Sequence, residues 1–330
     1  MRFTLIGAGR IGATHAAVLA DVADVDNLAI ADLEPERAVD LAAQFDKADP
    51  IDLDRAFAAV DAVIIATSTN THAEMLERAA AAGVAAFCEK PIALDLESTR
   101  AAVAAVDAAG ITVQMGFQRR YDPAMRAIHD SVASGELGTP YLVRSQTHDP
   151  SPPPLDYLPI SGGSFRDCLI HDIDVVRYVS GQEVATVTAA GAVLGFEEIG
   201  ALGDVDTATV VLGMSDGTLA QLSALRHDPI GYDVRLEVFG SKRALAAGWS
   251  DRSPIHSTEP GVKVTVDPID SFMDRFDAAF RAEMEAFVRV IRGEESPASN
   301  HHDAYQDLRV AVACDLSLAE GRTVRMEEIE

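Results

Sequence analysis

Lysine, cysteine and long apolar runs are all scarce in this chain of 330 residues. Lysine supplies four of the 27 basic residues, and 52 acidic residues bring the net charge to −25. Nucleic acids and anionic membranes bind basic surfaces, so neither is expected as a partner. No apolar run reaches the ~18 residues that a membrane-spanning helix needs, so we expect no membrane protein of that kind.

The few cysteines cannot build a disulfide framework or a cysteine metal site. Cys88, Cys168 and Cys314 lie far apart and have no metal or redox spacing, so we expect reduced thiols, no metal and a cytoplasmic location. The first apolar run starts at residue 2, which leaves no room for a signal peptide. The chain is 48% hydrophobic and long enough for two globular domains.

Three closely spaced glycines directly follow the first apolar run. Residues 2–6 read as a strand, Gly7, Gly9 and Gly12 follow with Arg10 and Ile11 between them, and a helical pattern begins at residue 13. In this spacing the first glycine permits a tight turn, the second lets the main chain approach a pyrophosphate, and the third allows close helix packing. An ordinary strand-to-helix turn is the alternative for the glycines alone.

Asp32 favours the dinucleotide interpretation and selects the cofactor. It ends a second apolar run, twenty residues after Gly12. A carboxylate there accepts hydrogen bonds from a ribose diol and repels a 2′-phosphate. Leu33 and Glu34 follow, with no arginine to bind that phosphate. The sequence therefore predicts NAD.

Strands and helices alternate through the first third of the chain, which predicts a doubly wound Rossmann domain over residues 1–118. Polar residues follow two of its strands, at the sheet edge where such folds bind ligands. The candidates for cofactor binding there are Thr67, Ser68, Asn70, His72, Glu89 and Lys90. For His72, a helix-capping or packing role is the open alternative.

The rest of the chain reads as an α+β domain over residues 119–330, for substrate binding and oligomerisation. Its β-type runs lie at 140–147, 184–193, 206–212, 218–224 and 234–239, with helices at 122–134, 164–181, 275–292 and 303–320. They predict a large, mostly antiparallel open sheet, with the last helix able to pack back on the first domain. Residues 149–163 form a proline-rich loop that is more typical of a pocket wall than of a linker.

The helix predicted at 164–181 carries the candidate chemistry. Asp167, His171 and Asp174 share one face, and Leu169, Ile173 and Val176 form a buried stripe opposite. A histidine between carboxylates suits a general base that takes a hydroxyl proton during oxidation. A solvated face, or a metal site that includes Asp172, is the alternative, and zinc is disfavoured because no further ligand has suitable spacing.

Lys90 is the natural companion of such a base, because it follows a strand at the cofactor edge. Its ammonium group could stabilise alkoxide character on the reacting hydroxyl. A surface lysine is the alternative, which the scarcity of lysine in this chain disfavours.

Several segments together resemble the glucose-fructose oxidoreductase, inositol dehydrogenase and rhizopine catabolism (Gfo/Idh/MocA) family, and within it the bacterial inositol dehydrogenases. They are Gly7–Gly12, Glu89–Pro91, Gly116–Asp122, Gly162–Asp167, Ile170–Asp174 and Gly231–Gly240. The resemblance implies a catalytic trio of Lys90, Asp167 and His171. It also implies a polyol pocket lined by these three together with Arg120, Asp149, Asp174 and Tyr232, and a homotetramer formed through the open sheet face.

The activity implied is NAD-dependent oxidation of a secondary hydroxyl of a cyclic polyol, myo-inositol at C2 being the first choice. A pyranose sugar or another isomer such as scyllo-inositol is the alternative substrate, and a non-catalytic NAD-binding regulator is the alternative class. Thr69 stands where many family members have proline, and the loop at 149–163 differs among them, so the resemblance predicts the reaction better than the substrate.

Overall fold

The computed structural model describes residues 1–255, 257–262 and 265–330. The chain forms two compact units: the first comprises Met1–Tyr121 and Ala278–Gln306, and the second comprises Asp122–Asp277 and Asp307–Glu330. The first unit thus includes a segment from the later part of the chain, which the sequence had assigned to the second domain.

A six-stranded parallel sheet in the order β3-β2-β1-β4-β5-β6 forms the centre of the first unit. Its strands are β1 (Arg2–Ile6), β2 (Asn27–Ala31), β3 (Ala48–Pro50), β4 (Ala62–Ile65), β5 (Ala85–Glu89) and β6 (Val113–Gly116). The strand order reverses between β1 and β4, so the loops after these two strands lie side by side where α/β sheets bind ligands. This arrangement confirms the predicted doubly wound Rossmann fold.

Helices cover this sheet, and parts of two of them come from far along the chain. They are α1 (Arg10–Asp21), α2 (Pro35–Ala42), α3 (Thr69–Ala82), α4 (Leu96–Ala109), and the parts of α10 (Phe272–Ile291) and α11 (His301–Glu320) that belong to the first unit. Phe287 of α10 packs against Phe3 and Phe87, with ring centroids 6.0 and 5.8 Å apart. A C-terminal helix therefore completes the core of the N-terminal fold.

The second unit contains a seven-stranded sheet in the order β12-β11-β7-β10-β9-β8-β13. Its strands are β7 (Pro140–His148), β8 (Val184–Ala192), β9 (Thr207–Met214), β10 (Leu219–Leu225), β11 (Asp233–Gly240), β12 (Ala244–Ala247) and β13 (Val324–Arg325). Five of the pairings between these strands are antiparallel, and β7 with β10 is parallel. The predicted large, mostly antiparallel sheet is confirmed, and β12 and β13 extend it beyond the prediction.

One face of this sheet is covered by helices, and burial alternates along its strands. The helices of the unit are α5 (Pro123–Ala133), α6 (Leu158–Ser161), α7 (Gly163–Asp167), α8 (Ile170–Ser180), α9 (Glu197–Ala201) and the remaining parts of α10 and α11. The fully buried carboxylate of Asp172 ties α8 to β7, because it accepts hydrogen bonds from Ser145 Oγ at 2.5 Å and Thr147 Oγ1 at 2.6 Å.

The single helix predicted at 164–181 is wrong in one respect, since the chain forms α7 and α8 instead. The amide of Leu169 bonds to Ser164 O, five residues back, and the amide of Cys168 bonds to the same oxygen. This bulged turn interrupts the regular ladder, although both residues keep dihedrals near the helical region. Leu169, Ile173 and Val176 are fully buried as predicted, but so is Asp174 on the opposite side of α8.

The three cysteines are free thiols. Among the described residues, no helix is both long and apolar enough to cross a membrane.

Replacing Leu169 by alanine tests the packing of α8. Its side chain is 0% exposed, so Leu169→Ala should lower the free energy of unfolding by about 2–5 kcal/mol. The control is Leu202→Ala, whose side chain is 46% exposed and should change that free energy by less than ~0.5 kcal/mol. Urea denaturation measures both, and equal stabilities of the two variants would contradict the packing described here.

Candidate active site

The glycine turn after β1 leaves space for a ligand at one position and none at the other two. Gly7 has a φ of +106°, and a Cβ there would collide with the main chain of Ala66 and Thr67. A Cβ at Gly12 would collide with Gly7 O. A Cβ at Gly9 would meet nothing within 4 Å, so the main chain there is open to an approaching phosphate.

Asp32 is fixed at the end of β2 by two main-chain amides. Ala8 N donates to its Oδ2 at 2.7 Å and Glu34 N donates to its Oδ1 at 2.9 Å. Each carboxylate oxygen keeps acceptor capacity after one such bond. The half-buried Asp32 can therefore accept ribose hydroxyls beside the glycine turn, as the fingerprint predicts.

The loop after β4 presents further polar groups at the same edge. Thr67 is half-buried, and Ser68 and Asn70 are exposed. Thr71 Oγ1 lies 2.7 Å from Thr67 Oγ1 and 2.8 Å from Ser68 O, which holds the loop in shape.

His72 lies beneath this loop and is only 2% exposed. Its Nδ1 is 2.8 Å from Pro91 O and its Nε2 is 3.1 Å from Thr67 O. Burial lowers the pKa of His72, so the ring is neutral near pH 7 and donates through one nitrogen only. Its geometry suits the packing alternative, because it joins the loop after β4 to the turn after β5.

Glu89 and Lys90 end β5 at this edge. Glu89 Oε1 is 2.8 Å from His15 Nε2, and its other oxygen lies against Gly116. The Glu89 carboxylate is thus engaged inside the first unit, where it fixes the end of the strand. Lys90 is half-buried and is followed by Pro91, to which it is joined by a cis peptide bond.

Arg120, which was predicted for the polyol pocket, makes contacts with other residues of the first unit. The side chain is 5% exposed, and Nη1 donates to Ala298 O at 2.5 Å. Both terminal nitrogens also lie 3.3 Å from carboxylate oxygens of Asp303. This guanidinium joins the turn after β6 to Ala298 and to Asp303 near the start of α11, and its place in a polyol pocket stays a prediction.

In the second unit, polar residues converge where β7 and β10 end. These strands are parallel and pair Leu225 with His148, so the next residues, Arg226 and Asp149, leave the sheet at the same edge. Arg226 is 2% exposed, and its Nη1 lies 4.0 Å from Asp149 Oδ2. Cys168 Sγ is 3.3 Å from the same Asp149 oxygen.

Asp167 lies at the end of α7 and is held from two sides. Arg226 Nη1 donates to its Oδ2 at 2.9 Å, and Tyr157 OH donates to its Oδ1 at 3.0 Å. Burial, reinforced by the charge of Asp167, raises the pKa of Tyr157 above its usual value, so the phenol remains a donor. His171 is the second residue of α8, is half-buried, and donates its amide hydrogen to Cys168 O at 3.3 Å.

Two other predicted pocket residues of this unit are largely buried. Asp174 is fully buried in α8, and Tyr232 is nearly so, with its amide donating to Ile269 O at 2.6 Å. The predicted residues thus form two groups: the glycine turn to Lys90 and Arg120 lie in the first unit, and Asp149, Asp167, His171, Asp174 and Tyr232 lie in the second.

The sequence prediction missed Tyr157 and Arg226. Tyr157 lies within the segment predicted as a pocket wall, which was a usable signal. Arg226 directly follows a strand, but its position beside Asp149 depends on the parallel pairing of β7 with β10. That pairing of two strands seventy residues apart leaves no local trace in the sequence.

Two clusters among the described residues have the spacing of metal ligands, and neither includes a predicted site residue. They are Asp107 with His301 and His302, and His148 with Asp228 and Asp233. In the second cluster, Arg235 Nη2 already donates a hydrogen bond to Asp233 Oδ2 at 2.6 Å, and this positive charge disfavours a metal cation there. In the suggested His171-Asp172-Asp174 site, Asp172 is bound by two hydroxyls of β7.

Comparisons with known proteins show the family to which the chain belongs. A family model described as "Oxidoreductase family, NAD-binding Rossmann fold" matches residues 1–117, and one described as "GFO/IDH/MocA C-terminal domain" matches residues 125–246. An inositol 2-dehydrogenase of Rhizobium meliloti is 40% identical over 327 residues, which cover 98% of each chain.

Solved structures show the same fold along the whole chain. A myo-inositol dehydrogenase from Corynebacterium glutamicum superposes with a TM-score of 0.91, at 38% identity and 98% coverage of both chains. A scyllo-inositol dehydrogenase from Lactobacillus casei, with bound NAD(H) and scyllo-inositol, gives a TM-score of 0.88 at 26% identity, with 99% coverage of both chains. The chain belongs to the Gfo/Idh/MocA oxidoreductase family, and its first unit contains the NAD-binding Rossmann fold of that family.

Proposed function

We propose that this protein is an inositol 2-dehydrogenase that oxidises myo-inositol at C2 with NAD. The observation that carries the proposal is that Arg226 and Tyr157 hold the carboxylate of Asp167, four residues before His171, in a chain that also has Lys90 at its cofactor edge. The similarity to proteins named inositol dehydrogenases supports the substrate class.

The residues around the glycine turn fit NAD. The open main chain at Gly9 and the amide-bearing start of α1 suit the pyrophosphate, and Asp32 suits the ribose diol. Arg10, Ile11, Thr67, Ser68 and Asn70 complete the set that we assign to cofactor binding. When bound, NAD accepts the hydride that leaves the substrate carbon.

His171 takes the proton of the reacting hydroxyl as a general base. Asp167 orients the imidazole and stabilises the imidazolium that forms. Lys90 donates a hydrogen bond to the same substrate oxygen and stabilises its alkoxide character. A hydride and a proton thus leave the CH–OH group, which becomes a ketone. Arg120, Asp149, Asp174 and Tyr232 are assigned to the polyol pocket, as the family resemblance implies.

We further propose a cytoplasmic homotetramer formed through the open face of the second unit's sheet. Val211 and Leu219 are both about half exposed on that face, and Trp249 of the same unit is half exposed as well. Apolar side chains gathered on one sheet face are typical of a surface that another subunit covers.

A cofactor variant tests the glycine turn. Gly9 has ordinary φ and ψ values and free space beside it, so Gly9→Ala should keep its stability. A methyl group in the pyrophosphate path should raise the Kd for NADH by ~10-fold or more, which is about 1.4 kcal/mol. Gly12→Ala is the contrasting variant, because it should destabilise the unliganded protein. Fluorescence titration of NADH measures the affinities, and wild-type affinity in Gly9→Ala would place the pyrophosphate elsewhere.

A substrate panel tests the proposed reaction. Myo-inositol, scyllo-inositol and pyranose sugars are each assayed with NAD and with NADP by the absorbance of the reduced cofactor. Myo-inositol with NAD should give the highest kcat/KM, and NADP should be poor because Asp32 repels its 2′-phosphate. A higher kcat/KM with scyllo-inositol or with a pyranose sugar would favour that compound as the substrate. NADH binding without turnover on any member would identify a regulator instead.

The pH dependence of kcat/KM tests the base. Oxidation should rise with pH because only the neutral imidazole accepts a proton, and Asp167 should place the midpoint at or above ~6.5. Asp167→Asn removes the charge that stabilises the imidazolium, so the midpoint should fall. His171→Ala should remove the inflection and cost ~10²- to 10⁴-fold in rate.

Asp315 is the control for this experiment. Burial raises the pKa of Asp315 to about 6, so this carboxyl group titrates in the same pH range. Asp315→Asn should nevertheless keep the inflection, since Asp315 forms its ion pair with Arg166 at 2.7 Å. Loss of the inflection in Asp315→Asn, or its persistence in His171→Ala, would show that His171 is not the base.

A further inference from the structure

The guanidinium of Arg226 is buried at the point where the polar groups of the second unit meet. Nε donates to Ser164 Oγ at 3.2 Å, Nη1 to Asp167 Oδ2 at 2.9 Å and Nη2 to Asp204 Oδ2 at 3.3 Å. Nη1 also lies 3.0 Å from Cys168 Sγ. Each nitrogen of the guanidinium therefore has a partner, and the side chain is fixed in one orientation.

This fixed guanidinium determines where the carboxylate of Asp167 lies. Arg226 holds Oδ2 and Tyr157 holds Oδ1, so a rotation of the carboxylate would break both hydrogen bonds. Charge-assisted bonds of this kind are stronger than neutral ones. Asp167 is the last residue of α7, and the bulged turn follows it, so these side-chain contacts add to the helix in holding the residue.

Arg226 also partly neutralises the negative charge of Asp167. Burial by itself disfavours the Arg226 cation, but the surrounding acidic groups more than offset this, and the pKa of Arg226 lies above its usual value. Burial raises the pKa of the Cys168 thiol, which stays neutral. One permanent positive charge is therefore shared among Asp167, Asp204 and, at 4.0 Å, Asp149. Asp204 also adds to the effect of burial in raising the pKa of Asp315, which forms an ion pair with Arg166.

We propose that Arg226 is a positioning residue for the reaction: it fixes Asp167 and, by partly neutralising that carboxylate, sets the proton affinity of His171. This inference rests on the proposed function in so far as His171 is the base. The residue does not touch the substrate in this scheme, and it acts only through Asp167.

The test compares Arg226→Gln with the unaltered enzyme by two measurements. The first is kcat/KM against pH with myo-inositol and NAD. The second is the titration of His171 by NMR in protein carrying ¹³C-labelled histidine, the signal being assigned by its loss in His171→Gln. Without Arg226, Asp167 acts on the imidazole with its full charge, which favours the imidazolium. Both midpoints should therefore move to higher pH, opposite to the shift expected for Asp167→Asn, and kcat should fall by on the order of 10²-fold because Asp167 loses its position.

Asp204→Asn is the matched control. It removes the charged partner of Arg226 Nη2, whereas Asp167 accepts from Nη1, and it weakens the contacts of Asp204 with Ser164, so it disturbs the same cluster. A purely structural role of Arg226 predicts similar behaviour of the two variants. We expect only Arg226→Gln to move the His171 midpoint upward, and an upward shift in both would overturn the proposal.

The two proposals fail in different ways. If the unaltered protein binds NADH but oxidises no member of the panel, the proposed function fails, and the NMR titration still tests whether Arg226 controls His171. If the enzyme is active and Arg226→Gln leaves both midpoints unchanged, the inference about Arg226 is wrong. Should Arg226→Gln not fold, Arg226→Lys decides, since it keeps the charge and loses the planar fork. An unchanged kcat in that variant would overturn the positioning role.

Discussion

A single buried positive charge organises the polar centre of the second unit. A guanidinium removed from water is costly unless anions and acceptors surround it, and here they come from three separate segments. Asp149 follows β7, Asp167 ends α7, and Asp204 precedes β9. The position of Arg226 directly after β10 therefore brings the three segments together, and its buried charge stabilises the carboxylate that each of them supplies.

The parts of the fold that sequence reasoning predicted are those with local signals. In the first unit the glycine spacing, the apolar strands and Asp32 all lie within short stretches, and the sheet has the predicted form. The glycines satisfy different requirements, since Gly7 and Gly12 meet neighbouring main chain and Gly9 meets open space. A local pattern was sufficient because each requirement is set by residues close in sequence or by the adjacent strand.

The parts that were missed depend on contacts between distant residues. The break between α7 and α8 arises from the amide of Leu169 reaching Ser164 O, which no propensity indicates. Arg226 reaches its acidic partner Asp149 only because β7 and β10 pair in parallel. The contacts of Arg120 with Asp303 and with the carbonyl of Ala298, about 180 residues away, were likewise not predicted from the sequence. Residue type alone does not separate an arginine that binds a substrate from one that joins two segments.

The path of the chain between the two units has a consequence for synthesis on the ribosome. The chain passes from one unit to the other at residues 121–122, 277–278 and 306–307, and Phe287 belongs to the core that also contains Phe3 and Phe87. During translation, one apolar surface of the N-terminal sheet therefore stays uncovered until more than 150 further residues have been added. The Rossmann half is the first part made and among the last to be finished, so a chain truncated at the end of its sheet would lack part of its own core.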